Sequence, residues 1–557
     1  MGNKRTNFLI QGSILAIASL ISRAIGLIYR IPMTAIIGDG GNDYYSTAYE
    51  IYNVFLLISS YSLPIAVSKL VSARISKKER KNAFKLFKGA LIFALITGGV
   101  CMVIILFGAG FITAKMQTPL AVFALQILAP TVLIVAVLGT IRGFFQGLGT
   151  MVPSATSQVI EQIVNAGISI IASYILFNHG MKTGALLGNA QNYAEAYGAA
   201  GGTLGTCAGA LVGLFFVSFL LFAFLPSFRR LMRRDNKTVE EESMAGVMKV
   251  ILLTVVPVLL STTIYNISAI IDQAIFKNIA THQGYAAQDI KVWWGVFSGK
   301  YKLLINVPIA IASALAASTV PALTEAFVRR DIKEVREKIY LGMRFISIIA
   351  LPFTVGFIVL ASPVMQLLFN DARELPAFLM QIGAVAVVFY SLSTLSNAIL
   401  QGINRLRVPV TNAIIALGIH IVFLVVLMYG FKLTIEAVVL ANAFYALLMC
   451  ILNNLAIRRY SGYRQELRLT FVIPGICSVL MGVVTFLVYK GLDLILLKLF
   501  SGTFVANAIA VIVSTLVSIV VYFVLLILLK GITEEMLLRF PKGASIVRLC
   551  RKFRLLR

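Results

Sequence analysis

Arg23 and Arg30 lie seven residues apart in SLISRAIGLIYRIP, a stretch that is otherwise apolar. A guanidinium near the middle of a membrane helix costs about 2.5–3.5 kcal/mol on insertion scales, so such residues face a protein interior or a wet cavity and pair with an anion. The chemistry these positions offer is anion recognition. Gly12, Ala16, Ser19, Arg23, Gly26 and Arg30 recur in steps of four and three, which sets them on one small, polar, cationic helix face.

Three further segments carry polar stripes of the same kind. Glu50 stands with Ser46, Asn53, Ser60, Pro64 and Ser68; Asp272 with Thr254, Pro257, Ser261, Tyr265 and Ser268; Lys300 with Lys302, Asn306 and Ser313. For Arg30 two readings stay open. It is neutralised by Glu50 or Asp272, as an ion pair holding two halves of the molecule together, or it meets an anionic cargo. A gate that opens and closes can use the same charges in one state. Arg23 has no evident carboxylate at its depth, which favours cargo or cavity water.

Other polar groups read as structural or divided. Glu161 and Asn165 either line a cavity or satisfy each other's helices by hydrogen bonding. The lone His420 reads as packed and bonded, Lys69 and Arg344 as snorkelling near helix ends, and AYGAAGGTLGTCAGALVG as a close-packing surface. No His–Asp pair, metal-ligand cluster or acidic loop motif is present to support catalysis, and no cofactor is evident. Of the five cysteines, Cys101, Cys207, Cys450 and Cys477 fall inside apolar spans and Cys550 in the tail, so no disulfide framework is legible.

The elements that must position these residues are membrane helices. The chain is 59% hydrophobic and 13% charged, with mean hydropathy +0.90, against about 25% charged residues in soluble domains. About fourteen apolar spans are predicted, at roughly 8–37, 44–74, 84–111, 118–148, 151–177 and 198–225, then 247–276, 293–327, 338–363, 376–402, 408–430 and 434–457, then 471–490 and 503–530. The first helix lacks a signal-peptide cleavage site and is expected to be retained. Of the 49 Lys and Arg residues, about 35 fall at the N-terminus, in even-numbered loops or in the tail, and about eight in odd-numbered loops. Both termini are then cytoplasmic. This asymmetry absorbs most of the +26 net charge through anionic lipid headgroups, without nucleic acid.

An internal repeat organises the spans. VLGTIRGFFQGLGTMVPSATSQVI is echoed by LSTLSNAILQGINRLRVPVTNAII, with Gln146-Gly147 over Gln401-Gly402 and Pro153 over Pro409; Pro64 falls over Pro321 at a similar offset. An even number of spans per repeat gives two parallel six-helix halves around a central cavity, with two helices outside the repeat. The expected divisions are 1–228 (spans 1–6), a cytoplasmic linker 229–246, 247–460 (spans 7–12), 461–530 (spans 13 and 14) and a basic amphipathic cytoplasmic tail 531–557 lying along the inner surface.

SRAIGLIYR, the two halves with their QG…P element and the two additional C-terminal helices resemble the MurJ and SpoVB branch of the multidrug/oligosaccharidyl-lipid/polysaccharide (MOP) exporter superfamily over nearly the whole chain. In that branch a first-helix motif S-R-x-x-G-x-x-x-R contributes cavity arginines implicated in handling the diphosphate of lipid II. Ser22, Arg23, Gly26 and Arg30 match it residue by residue. The branch's eighth-helix basic residue falls on Lys302, with Lys300 a near alternative; lysine keeps the charge and loses the bidentate fork. A second-helix arginine of some Gram-negative members has no counterpart in EIYNVFLLIS, which points to the Gram-positive type. Spans 13 and 14 would form a groove for a polyprenyl tail.

The resemblance therefore implies an all-α, multi-pass plasma-membrane flippase, not an enzyme, that moves an undecaprenyl-diphosphate-linked saccharide, lipid II foremost, to the outer leaflet. Substrate contacts are expected from Arg23, Arg30, Lys302, Lys300, Ser19, Asn53 and Asn306, and gating ion pairs from Glu50 and Asp272. Membrane potential or an ion is left open as the energy source, and cell-wall synthesis proteins as partners. The rivals are a flippase for teichoic, capsular or O-unit glycans, a cation-coupled drug exporter, which should need acidic residues facing its cargo, and a membrane-bound transferase.

Overall fold

Long runs of Leu, Ile, Val, Ala, Phe and Gly leave a backbone in hydrocarbon one economical way to satisfy its N–H and C=O groups, the α-helix. Every regular element among the described residues is helical. A computed structural model describes residues 2–233, 235, 241–499, 502–532, 534 and 543–552, with the side chains of 2–13, 16, 256–266, 321–322, 499, 543, 545–546 and 549 excluded. The stripe positions Gly12, Ala16, Pro257, Ser261 and Tyr265, the repeat residue Pro321 and parts of the expected linker and tail lie outside the described residues.

Among the described residues, eleven helical stretches are long and apolar enough to cross a membrane, and twelve if one bent pair counts as a single span. One of them, Ile17–Ser76, has 60 residues; at 1.5 Å per residue it would extend about 90 Å, far beyond a hydrocarbon core of about 30 Å. The expected seventh span falls on a helix whose later side chains are outside the described residues.

The chain forms two compact units, Met1–Gly299 and Lys300–Arg557. The first comprises α1 (Gly2–Leu56), a π-turn at Leu57–Tyr61, α2 (Leu63–Ser76), α3 (Arg80–Lys115), α4 (Val122–Gly147), α5 (Val152–Leu186), α6 (Ala190–Met232), α7 (Met244–Asn266), α8 (Ser268–His282) and α9 (Ala287–Val296). α1 bends at Gly38, whose φ of 69° and ψ of −177° suit only a residue without Cβ. Met33, Ile37, Tyr45 and Ile51 of α1 pack with Ile105 of α3 and Leu125 and Leu128 of α4 in one core cluster. Leu63, Val67 and Val71 pack with Phe87, Phe144 and Phe228 in another.

Glycines at four-residue spacing let backbones touch. On α4, a Cβ at Gly143 would stand 2.7 Å from the Pro64 carbonyl oxygen, and one at Gly147 2.7 Å from Val71 Cβ. On α6, Cβ atoms at Gly201, Gly205 and Gly209 would each fall within 2.5 Å of α5 atoms. The small-residue run thus serves the close packing its composition suggests.

Segments expected as loops at 38–43 and 178–197 are mostly helical, because α1 runs on through its bend, α5 reaches Leu186 and α6 begins at Ala190. Hydropathy follows lipid-facing surface, whereas the polar residues that broke the pattern are interior: Asp43, Glu195, Lys277 and Lys291 are all buried. A charge that finds its counter-charge inside the fold does not end a helix.

The second unit comprises α10 (Lys302–Val328), α11 (Ile332–Val359), α12 (Ala361–Phe369), α13 (Glu374–Gly383), α14 (Ala386–Gly402), α15 (Arg407–Tyr429), α16 (Ile435–Ser461), α17 (Ile473–Leu499), α18 (Thr503–Leu528) and α19 (Gly543–Lys552). α13 and α14 meet at a 43° bend. α14 packs against α10, α11 and α16, while α17 and α18 pair with each other, α17 against α11 and α18 against α12. His420 is packed, its Nδ1 2.9 Å from the Ala441 carbonyl oxygen.

One expectation for this unit changes. Arg344 does not snorkel: it is 4% exposed, and its Nη2 donates to the Gly531 carbonyl at 2.9 Å while Nη1 donates to the Tyr340 hydroxyl. The chain leaving α18 turns back and supplies the acceptor that makes burial of the guanidinium tolerable. Within the tail, Val547 of α19 joins a core cluster with Tyr522, Leu526 and Ile532, and Cys550 is buried.

Candidate functional site

The site is built from three helices of the first unit. Ser19, Ser22 and Arg23 share a face of α1, Arg142 projects from the penultimate turn of α4, and Gln158, Glu161 and Gln162 recur at i, i+3 and i+4 on α5. Together they line a polar cavity of about 330 Å³. Gly26 belongs to the same wall: a Cβ there would stand 3.0 Å from Gln162 Nε2. The glycine makes room for the amide.

Arg142 is held in position. Its Nε donates to Ser157 Oγ at 2.8 Å and its Nη2 to Glu161 Oε2 at 2.8 Å. Ser19 Oγ donates to Gln158 Oε1 at 3.3 Å. Ser22 Oγ is buried with no hydrogen-bond partner, and Arg23 forms no ion pair or hydrogen bond with any described residue. Two guanidinium groups therefore face one carboxylate, leaving the cavity wall with an uncompensated positive charge. The expectation that no carboxylate lies at the level of Arg23 is corrected, since Glu161 lines the same cavity. Its charge is engaged by Arg142 instead. Asn165 takes the other role, donating to Gln162 Oε1 at 3.2 Å and Tyr29 Oη at 3.4 Å.

Arg30 lies two turns further along α1, about 10.5 Å away at 1.5 Å per residue. Its guanidinium carbon stands 4.4 Å from the Tyr45 ring centroid, and its Nε is buried without a hydrogen-bond partner. A desolvated cation over an aromatic face gains about 2 kcal/mol. In this structure Arg30 makes no ion pair with Glu50 or Asp272 among the described residues; Glu50 is half-buried, Asp272 is buried, and both have interactions of their own.

The ion pairs that bind α8 and α9 to the rest of the first unit lie elsewhere. Lys277 of α8 pairs with Asp43 of α1, and Lys291 of α9 pairs with Glu195 of α6 at 2.6 Å. Sequence reasoning passed over these residues because it placed them in loops. Their signal was Lys277 and Lys291 themselves, two of the few cations on the cation-poor side of the chain.

Of the remaining expected residues, Asn53 is half-buried on α1. In the second unit Lys302 is half-buried and Asn306 exposed on α10. Lys300 is committed to Asp371, with Nζ to Oδ2 at 2.6 Å, and Arg373 shares that carboxylate. Burial alone would raise the Asp371 pKa; hydrogen bonds from Arg373 and Lys300 outweigh it and hold the carboxyl well below the usual range.

Sequence reasoning also missed Arg142, Gln158 and Gln162. Arg142 stood in view within the repeat segment, and comparison with its counterpart would have marked it: the offset that places Gln146 on Gln401 places Arg142 on Asn397. There the second unit uses neutral amides. Asn453 Nδ2 donates to Asn397 Oδ1 at 2.7 Å and to Ser396 Oγ at 3.0 Å, and Asn412 Nδ2 donates to Asn453 Oδ1 at 2.9 Å.

Comparison with known proteins adds the relatives. A family described as polysaccharide biosynthesis protein matches residues 9–327, and a second family of the same description matches 293–373. The chain is 26% identical over 498 residues to the lipid II flippase MurJ of Bacillus subtilis, covering 85% of this chain and 87% of that protein. It is 23% identical over 487 residues to stage V sporulation protein B of the same organism, covering 85% and 88%. Among solved structures, lipid II flippase MurJ in an inward closed conformation aligns with TM-score 0.60 at 15% identity, covering 92% of this chain and 97% of that one. An inward-facing multidrug transporter of the MATE family and MOP superfamily aligns with TM-score 0.59 at 18% identity, covering 79% and 100%. The fold is that of the MOP superfamily.

Proposed function

Because the chain belongs to the polysaccharide biosynthesis protein family, we propose that it is a flippase of a bacterial plasma membrane, carrying a polyprenyl-diphosphate-linked saccharide, foremost lipid II, from the inner to the outer leaflet by alternating access. The observation that carries this reading is Arg23, an unpaired cation on the wall of a polar cavity. A diphosphate cannot shed its water into hydrocarbon without a replacement for it. Arg23 supplies charge-assisted hydrogen bonds, and Ser22, Gln158 and Gln162 supply neutral ones for the remaining oxygens and the first sugar.

The relatives support both the transport class and the lipid-linked cargo: one is named a lipid II flippase and covers most of the chain. Arg30 would be a second contact further along the path, released from Tyr45 as cargo advances. Lys302 and Asn306 are proposed as cargo contacts in a later state, and Glu50 and Asp272 as the carboxylates that recapture cations when cargo leaves. Membrane potential, acting on these charges, is the proposed bias on direction.

The test is leaflet accessibility of lipid II in cells that depend on this protein for growth. Wild type should restore outward translocation, and Arg23→Ala should lower it by about tenfold or more at equal expression, the cost of removing hydrogen bonds to a charged group. Normal translocation by Arg23→Ala would overturn the site. Failure of the wild type to replace the lipid II flippase, with rescue of a teichoic or capsular glycan defect, would reassign the saccharide.

A further inference from the structure

We propose that Arg142 is a second ligand for the diphosphate and that Glu161 limits how tightly the headgroup is held, an inference that rests on the flippase reading above. Arg142 lines the same cavity as Arg23. A guanidinium has five N–H donors. Ser157 takes the Nε donor and Glu161 takes one from Nη2. Among the described residues Nη1 makes no hydrogen bond. The side chain is thus oriented at two points and keeps donors for a ligand. A diphosphate has two phosphoryl groups, and two arginines on one cavity wall match that number.

Glu161 then has two effects. It orients Arg142, and it lowers the positive charge of the cavity from two to one. A carrier must release what it binds, so a site with two uncompensated arginines would bind a diphosphate tightly and let go slowly. With the carboxylate in place, the arriving phosphate competes with Glu161 for Arg142, and the returning carboxylate helps displace it. Binding of cargo and release of cargo become an exchange of anions on one guanidinium.

The pair is not something the repeat's fold requires. At the matching place in the second unit Asn397, Asn412, Asn453 and Ser396 close on one another with neutral hydrogen bonds. The position that matches Arg142 is therefore held there without charge, through Asn453 of α16. Carrying an Arg–Glu pair costs desolvation that amides avoid, so the charged version is explained by the cavity it faces.

The experiment measures binding of farnesyl diphosphate to the purified full-length protein in detergent by titration calorimetry, with farnesol as the uncharged control. Glu161→Gln keeps an oxygen acceptor for Arg142 and removes the charge, so binding should tighten by about tenfold, equal to about 1.4 kcal/mol. Arg142→Gln should weaken it by about tenfold or more, and Arg142→Lys, which keeps charge without the fork, should fall between. In cells, Glu161→Gln should translocate lipid II more slowly despite tighter binding, a combination that a merely structural pair would not give.

Binding that is lost in Arg23→Ala but unchanged in Arg142→Gln and Glu161→Gln overturns the role given to this pair and leaves the flippase reading standing. Wild-type protein that binds farnesyl diphosphate no better than farnesol removes the anion site and that reading together. If Arg142→Gln does not yield folded protein, Arg142→Lys and Glu161→Gln still decide the matter, since each preserves a hydrogen bond at the junction.

Discussion

Alanine at Gly205 is expected to lower the stability of the purified protein by about 3 kcal/mol, the upper end of what overpacking costs. The added Cβ would stand 2.1 Å from Ser169 Oγ, 2.5 Å from Ser169 N and 2.7 Å from Asn165 O. Rotating the Ser169 hydroxyl away relieves the first contact. It does nothing for the other two, which are backbone atoms of α5. Ser169 would also give up its hydrogen bonds to Asn165 Oδ1 and to the Gly202 carbonyl, both 2.9 Å. The helices must separate, and Gly201 and Gly209 then lose their own close contacts with α5.

Function should fall along with stability, because α5 carries Gln158, Glu161 and Gln162 into the cavity. A displacement of about 1 Å is enough to cost a positioned site much of its effect. The control is Gly167→Ala on α5, where a Cβ meets nothing within 4 Å; that change should stay within about 0.5 kcal/mol. Thermal unfolding in detergent reads both. Equal melting temperatures for the two variants would show that the α5–α6 approach is looser than these distances.

The glycine spacing, the repeat and the S-R-x-x-G-x-x-x-R motif were all legible in the sequence, because each repeats or matches at fixed offsets along one helix. Arg23 and Ser19 were legible for the same reason. What could not be read was which helices supply the other walls. Arg142 and Glu161 are 19 residues apart on two helices joined by a turn, and nothing in one-dimensional periodicity sets the rotation of α4 relative to α1. Arg344 was misread because its acceptor, the Gly531 carbonyl, lies 187 residues away. The expected loops at 38–43 and 178–197 failed for an electrostatic reason. Hydropathy treats a charged residue as wet, whereas Asp43 and Glu195 are dry and paired.

That electrostatic point leads to the second large effect: Lys277→Met is expected to destabilise the protein by about 3–5 kcal/mol, since it strands a buried carboxylate. The ammonium of Lys277 has three donors, and the structure occupies all of them, with Asp43 Oδ1, Thr118 Oγ1 and Thr47 Oγ1. Its side chain is 1% exposed and that of Asp43 2%. With Lys277 gone, the other cation that acts on Asp43 is Lys291, whose charge is already engaged by Glu195. The double variant Asp43→Asn/Lys277→Met makes both members of this pair neutral, and should recover most of the loss, because the penalty arises from the unpaired ion more than from the missing attraction. Melting curves in detergent for the single and double variants measure this directly. If Lys277→Met melts with the wild type, the pair contributes nothing to holding α8 on α1. If the double variant is as unstable as the single one, the cost lies in packing at Lys277 and not in charge. Recovery of stability in the double variant, with translocation lost, would show that the charges of this pair are needed for transport and not only for holding α8 on α1.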